Sequence, residues 1–155
     1  MAAPDTHPKP DPASLSAESI DFAHRMFEAA RTGNTELVVA AVDAGLPVNI
    51  LNSKGNSLLM LAAYAGHADL TTKLLERGGD PNMLNDMGQS IIAGAVFKGH
   101  DEVVRALAAK GADPRLGQPN AIQAAHMFKR EQLMDVLGAT AADIGPEVPM
   151  PVPHP

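Results

Sequence analysis

Between residues 57 and 78 the apolar side chains come in two short bursts. Leu58, Leu59, Leu61 and Ala62 fall at steps of three and four, which place them on one face of a helix. Leu70, Leu74 and Leu75 repeat that spacing a turn later. Ser57 stands where its hydroxyl can cap the first helix. Gly66 and Gly78 stand where the two helices should end, since a C-terminal cap favours a left-handed residue. Helices of about ten residues are marginal alone in water. A helix pair of this size becomes stable when its apolar face is buried on a neighbouring unit.

The neighbours are present. Residues 51–83 slide onto 84–116 with eleven of 33 positions identical: Leu51/Leu84, Asn52/Asn85, Gly55/Gly88, Ser57/Ser90, Ala62/Ala95, Gly66/Gly99, His67/His100, Leu74/Leu107, Gly78/Gly111, Asp80/Asp113 and Pro81/Pro114. Upstream, Gly33 and Gly45 stand 33 residues before Gly66 and Gly78. Downstream, AIQAAHMFKREQLMDVLG at 121–138 matches at a spacing of 30, with three residues lost between Leu116 and Ala121. A fixed period of this length marks a stacked repeat array. The expected architecture is therefore all-α, a helix–turn–helix solenoid of about four units at 18–50, 51–83, 84–116 and 117–138. These lie within one ordered domain, 16–138. Of the 13 prolines, four precede residue 13 and five lie in the last ten residues, so 1–15 and 139–155 are expected to be disordered, polyproline-like tails. The segment PMPVPHP is of a kind that docks in aromatic grooves, although no Arg or Lys flanks it.

Composition narrows the function. Aromatic residues are 3% of the chain, so the core must be built from Ala, Leu, Val, Ile and Met. The formal net charge is −6 and the 12 Lys and Arg are scattered, which argues against nucleic acid and against an anionic membrane surface. No apolar run approaches the roughly 18 residues of a membrane span. The N-terminal MAAPDTHPKPDP has no apolar stretch of the secretory kind, so a cytoplasmic protein is expected. With no Cys, thiolate metal sites, disulfides and a cysteine nucleophile are excluded.

The period, the Gly-His turns at 66–67 and 99–100, and the loops GGDPN (78–82) and GADP (111–114) resemble the ankyrin-repeat family over about residues 18–138. The family's Thr-Pro-Leu-His element is replaced here by SLLM (57–60) and SIIA (90–93), which removes its helix-starting Pro and its hydrogen-bonding His. Hydrophobic packing is expected to take over that polar tie between units. Gly94 stands where the preceding unit has the core residue Leu61, so either the stack draws closer there or Phe and Met side chains fill the gap. The resemblance implies non-covalent binding of a protein partner on the concave face, without a cofactor. Some short bacterial members are associated with catalase and oxidative stress, so the resemblance also implies a second reading, an accessory or protective factor that supports a catalase.

Candidate chemistry is sparse. His67 and His100 hold equivalent places in adjacent units, and stacked helices lie about 8–10 Å apart. Two imidazoles on one zinc must approach within roughly 4 Å of each other, because each nitrogen lies about 2.1 Å from the metal. No metal site is therefore expected, and the histidines should cap the second helices and bond within the turn. Neither a nucleophile elbow nor a phosphate-cradling glycine loop is present. Glu76, Asp80, Asp101, Glu102 and Asp113 suit helix starts, flanks and turns. No enzyme and no catalytic residue is expected. Two places before each Gly-His position stand Arg31, Tyr64, Phe97 and, in the fourth unit, Met127; the next column adds Lys98 and Phe128. Such residues are enriched at protein interfaces. Lys54, Asn56, Met87 and Gln89 join them at the hairpin tips. Tyr64 and Phe97 either meet the partner or cover the Ala-rich first helices and compensate for Gly94. Both readings stay open on sequence.

Overall fold

The computed structural model describes residues 17–144. The expected tail at 1–15 and the PMPVPHP segment lie outside the described residues. Eight helices occur among the described residues: α1 (Ala17–Thr32), α2 (Thr35–Asp43), α3 (Leu58–Tyr64), α4 (Ala68–Glu76), α5 (Ile91–Lys98), α6 (Asp101–Ala109), α7 (Ala121–Met127) and α8 (Glu131–Val136). They form two layers. The first helices pack in series, α1 on α3, α3 on α5 and α5 on α7; the second helices do the same, α2 on α4, α4 on α6 and α6 on α8. The long loops turn outward as fingers, each pinched at its base by one bridge, Leu51 to Ser57 and Leu84 to Ser90.

Local chemistry sets the helix ends. The Ser57 hydroxyl accepts from the Met60 amide at 3.1 Å and Ser90 accepts from Ala93 at 3.2 Å. Asn120 replaces serine in the fourth unit and forms a capping box with Gln123. Burial follows the helical spacing. Leu58, Leu59, Leu70, Leu74, Ile91, Ile92, Leu107, Ile122 and Leu133 are fully enclosed, and alanines fill the closest approaches between first helices.

Two sequence expectations need correction. The C-terminal tail does not begin at 139. Ala141–Ile144 form a 3-10 turn that packs on α7, continuing the row of first helices. Arg115 holds it by two hydrogen bonds to the Asp143 carboxylate, both 2.9 Å, and the Thr140 amide donates to the same carboxylate at 2.7 Å. The turn packs on α7, where no further helix is stacked among the described residues, and Asp143 supplies an anion for Arg115. This pairing holds the Asp143 carboxyl at about 2, below its ordinary 3.8, with the Arg115 hydrogen bond the largest cause.

The second correction concerns the ties between units, which are polar as well as hydrophobic. Asn49 donates to the Gly78 carbonyl at 3.2 Å and accepts from the Asp80 amide at 2.8 Å. Asn82 repeats this on Gly111 and Asp113, at 3.2 and 2.7 Å. Arg115, the next residue in that column, donates to the Gly138 carbonyl at 3.2 Å. The missing Thr-Pro-Leu-His histidine is thus offset by bonds from the loops to the next unit's backbone.

Candidate partner-binding face

The recurring histidines join units. His67 and His100 sit at the N-caps of α4 and α6, yet neither side chain makes the capping hydrogen bond that the sequence suggests. Instead, His67 Nε2 donates to the Arg31 carbonyl at 2.8 Å, and His100 Nε2 donates to the Tyr64 carbonyl at 3.1 Å. Each ring reaches back 36 residues to the end of the preceding first helix. The space it fills is the space a Cβ would need on the preceding glycine. A side chain at Gly66 would stand 2.7 Å from His100 Cε1, and one at Gly33 would stand 2.6 Å from His67 Cε1. Gly and His therefore recur together because each glycine makes room for the next unit's imidazole. In the fourth unit the pair becomes Lys129-Arg130, and Arg130 ion-pairs with Asp101. Lys129 is the one non-glycine with positive φ among the described residues, at 56°, and it stands where Gly33, Gly66 and Gly99 stand.

Tyr64 and Phe97 hold matching positions in α3 and α5, but their surroundings differ. The Tyr64 ring lies against Gly94, so close that a Cβ on Gly94 would be 2.0 Å from Tyr64 Cε1. Its hydroxyl donates to the Ser90 carbonyl at 3.1 Å. Burial pushes the phenol up to about 12, since the charged form would lose water. Tyr64, rather than Phe or Met, fills the gap that Gly94 leaves. Phe97 has no such notch to enter, because the matching position on α7 is Ala124. Phe97 is 62% exposed, and its ring makes an edge contact with Phe128, with centroids 5.2 Å apart and planes at 83°. Phe128 is itself 46% exposed.

Around Phe97 lies a groove of about 360 Å³. Ser90, Ala93, Gly94 and Ala124 form its floor, and Tyr64, Gln89, Phe97 and Lys98 its walls. Gln118 and Pro119 close the far side. Four expected residues thus come together there. Gln118 and Pro119 were not foreseen, because the three-residue loss breaks the register in their loop. The signal available was their place, where the third unit carries its finger.

The other expected residues lie outside this groove. Arg31 is exposed on α1 and ion-paired with Glu28. Met127 is partly buried at the end of α7. At the fingertips, Met87 is 79% exposed and Lys54 is exposed. Asn56 and Gln89 hold the fingers in register: Asn85 Nδ2 donates to Asn56 Oδ1 at 3.0 Å and to Gln89 Oε1 at 2.9 Å. The Asp86 amide adds a bond of 3.1 Å to the Lys54 carbonyl. Asp80 and Asp113 accept from the backbone two residues on, at 2.8 and 2.9 Å, as turn residues do.

Comparison with known proteins agrees with this geometry. A family model described as ankyrin repeats (3 copies) matches residues 26–118. The chain belongs to the ankyrin-repeat family. It is similar to an ankyrin repeat protein of Pseudomonas aeruginosa, 44% identical over 57 residues, which are 37% of this chain and 32% of that protein. It is also similar to the crystal structure of the human ASB11 ankyrin repeat domain, with a TM-score of 0.69 and 27% identity over 80% of this chain and 57% of that one. The chain thus spans about a third of the curated relative. Ankyrin repeats are in general non-enzymatic protein–protein interaction modules. Among the described residues, no helix is long and apolar enough to cross a membrane.

Proposed function

We propose that this ankyrin-repeat chain is a non-enzymatic interaction module that takes a segment of a protein partner into the groove beside Phe97. The observation that carries the reading is the Phe97 ring, left 62% exposed at the wall of a groove while the helix beneath it is enclosed. Burying a phenylalanine contributes about 1.5–3 kcal/mol, and most of that gain is still available to a partner here. The Phe97 ring already rests against Phe128, and a contact made before binding lowers the ordering cost of association. Lys98 and Gln89 border the apolar surface with polar groups, the arrangement of an interface rim around its core.

Affinity capture from native extract tests this with wild type, Phe97→Ala and Phe128→Ala. Both variants should lose the partner while their thermal midpoints fall by less than about 4 °C, because neither ring is enclosed. Undiminished capture by Phe97→Ala refutes the proposal.

A further inference from the structure

We propose that the groove accepts an extended proline-rich segment, and that its resident occupant is residues 145–155 of this same chain. The inference rests on the groove reading above and adds its ligand class and a means of regulation. The first support is position. The last described turn, Ala141–Ile144, packs on α7, and so does α5. The groove lies over α5 and α7, so the following residues need to cross one helix to reach it. Packed helices are about 8–10 Å apart. Eleven residues at about 3.1 Å each, the rise of a polyproline helix, extend roughly 34 Å.

The second support is chemistry. The segment reads GPEVPMPVPHP. At the three-residue period of a polyproline helix, Pro146, Pro149, Val152 and Pro155 fall on one apolar face. Proline-rich segments dock on aromatic-lined grooves, and this groove is walled by Tyr64 and Phe97. The third support is charge. Lys98 has no ion-pair partner among the described residues, and the segment's one acidic side chain is Glu147.

Tethering makes a weak contact effective. A short linker holds its ligand at an effective concentration on the order of 1 mM. A segment that binds with a Kd near 100 µM in trans would then occupy the groove about ten times out of eleven in cis, and would weaken any competing ligand about tenfold.

The test uses the full chain and a dye-labelled synthetic peptide of residues 145–155, read by fluorescence anisotropy. A full chain carrying Pro149→Lys and Val152→Lys, which break the segment's apolar face, oppose Lys98 and so disable its own segment, should bind the peptide about tenfold more tightly than wild type. Adding Phe97→Ala or Lys98→Glu to that variant should weaken binding at least fivefold; the lysine change, at an exposed site, keeps the test valid if the phenylalanine change unfolds the chain. Equal binding by wild type and the disabled variant, or no binding by either, overturns the proposal. Sedimentation showing that the wild-type segment acts between two molecules also overturns it, since the occupant is then a second copy. Loss of the native partner by Phe97→Ala alongside any of these results leaves the groove reading standing and removes only self-occupation.

Discussion

Gly94→Ala should change sign with the residue at 64. Gly94 lies inside α5, where alanine favours the helix by about 1 kcal/mol over glycine. On propensity alone the substitution stabilises. The notch forbids that gain, because the new Cβ would stand 2.0, 2.6 and 2.7 Å from Tyr64 Cε1, Cδ1 and Cζ, where ordinary contacts begin at 3.4 Å. The ring must swing out, breaking the 3.1 Å hydrogen bond to the Ser90 carbonyl. Overpacking of this kind costs about 1–3 kcal/mol, and the lost bond about 0.5–1.5 kcal/mol. The net expectation is destabilisation by about 2 kcal/mol, a fall of roughly 6–10 °C in thermal midpoint for a domain of this size. With Tyr64→Ala already in place there is no ring to displace, and Gly94→Ala should then stabilise by up to about 1 kcal/mol. Urea or thermal unfolding of the four proteins closes the cycle. A gain in stability in the wild-type background, or the same sign in both, refutes the placement of Tyr64 in the notch.

Three further outcomes follow from the geometry. Tyr64 is the one tyrosine and the chain has no Trp, so tyrosinate absorbance reports it alone. Its midpoint should lie at about 12; the raised value means that the stability it lends is complete below pH 10 and lost as pH rises toward 12, and a midpoint near 10 would show the ring exposed. Asp143 works in the opposite direction. Its lowered carboxyl lends stability above about pH 4 that is lost as pH falls toward 2, so the midpoint gap between wild type and Asp143→Asn should close over that window, and a gap constant from pH 6 to pH 2 would contradict the Arg115 clasp. Gly66→Ala combines a left-handed φ of 86° with a Cβ 2.7 Å from the His100 ring, and should cost about 2–3 kcal/mol in urea unfolding; a cost under about 0.5 kcal/mol would mean that His100 does not occupy that space.

The 33-residue register, the serine caps and the glycine-ended helices were legible because each is local chemistry repeated on a fixed schedule. Tyr64 and Phe97 shared two open readings on sequence, partner contact or cover for Gly94; what separates them is the residue that the next first helix sets opposite each, Gly94 for Tyr64 and Ala124 for Phe97. The histidine bonds were hidden for a related reason. Their acceptors are backbone carbonyls 36 residues away, which no side-chain pattern announces. Arg130 falls in the histidine column at the spacing of 30, but its change of residue type hid the shared place, and its partner Asp101 lies in the preceding unit. The turn at 141–144 was absorbed into a proline-rich tail, although its own residues contain no proline and its anchor, Asp143, needs Arg115 to be meaningful.

Site-specific photo-crosslinking in cells, with a benzophenone side chain at position 97 or at Glu102 on the exposed second helix, is the most direct measurement. The chain should crosslink a protein partner from position 97 and not from position 102; crosslinking from 102 with none from 97 would place the partner on the opposite face and contradict the account.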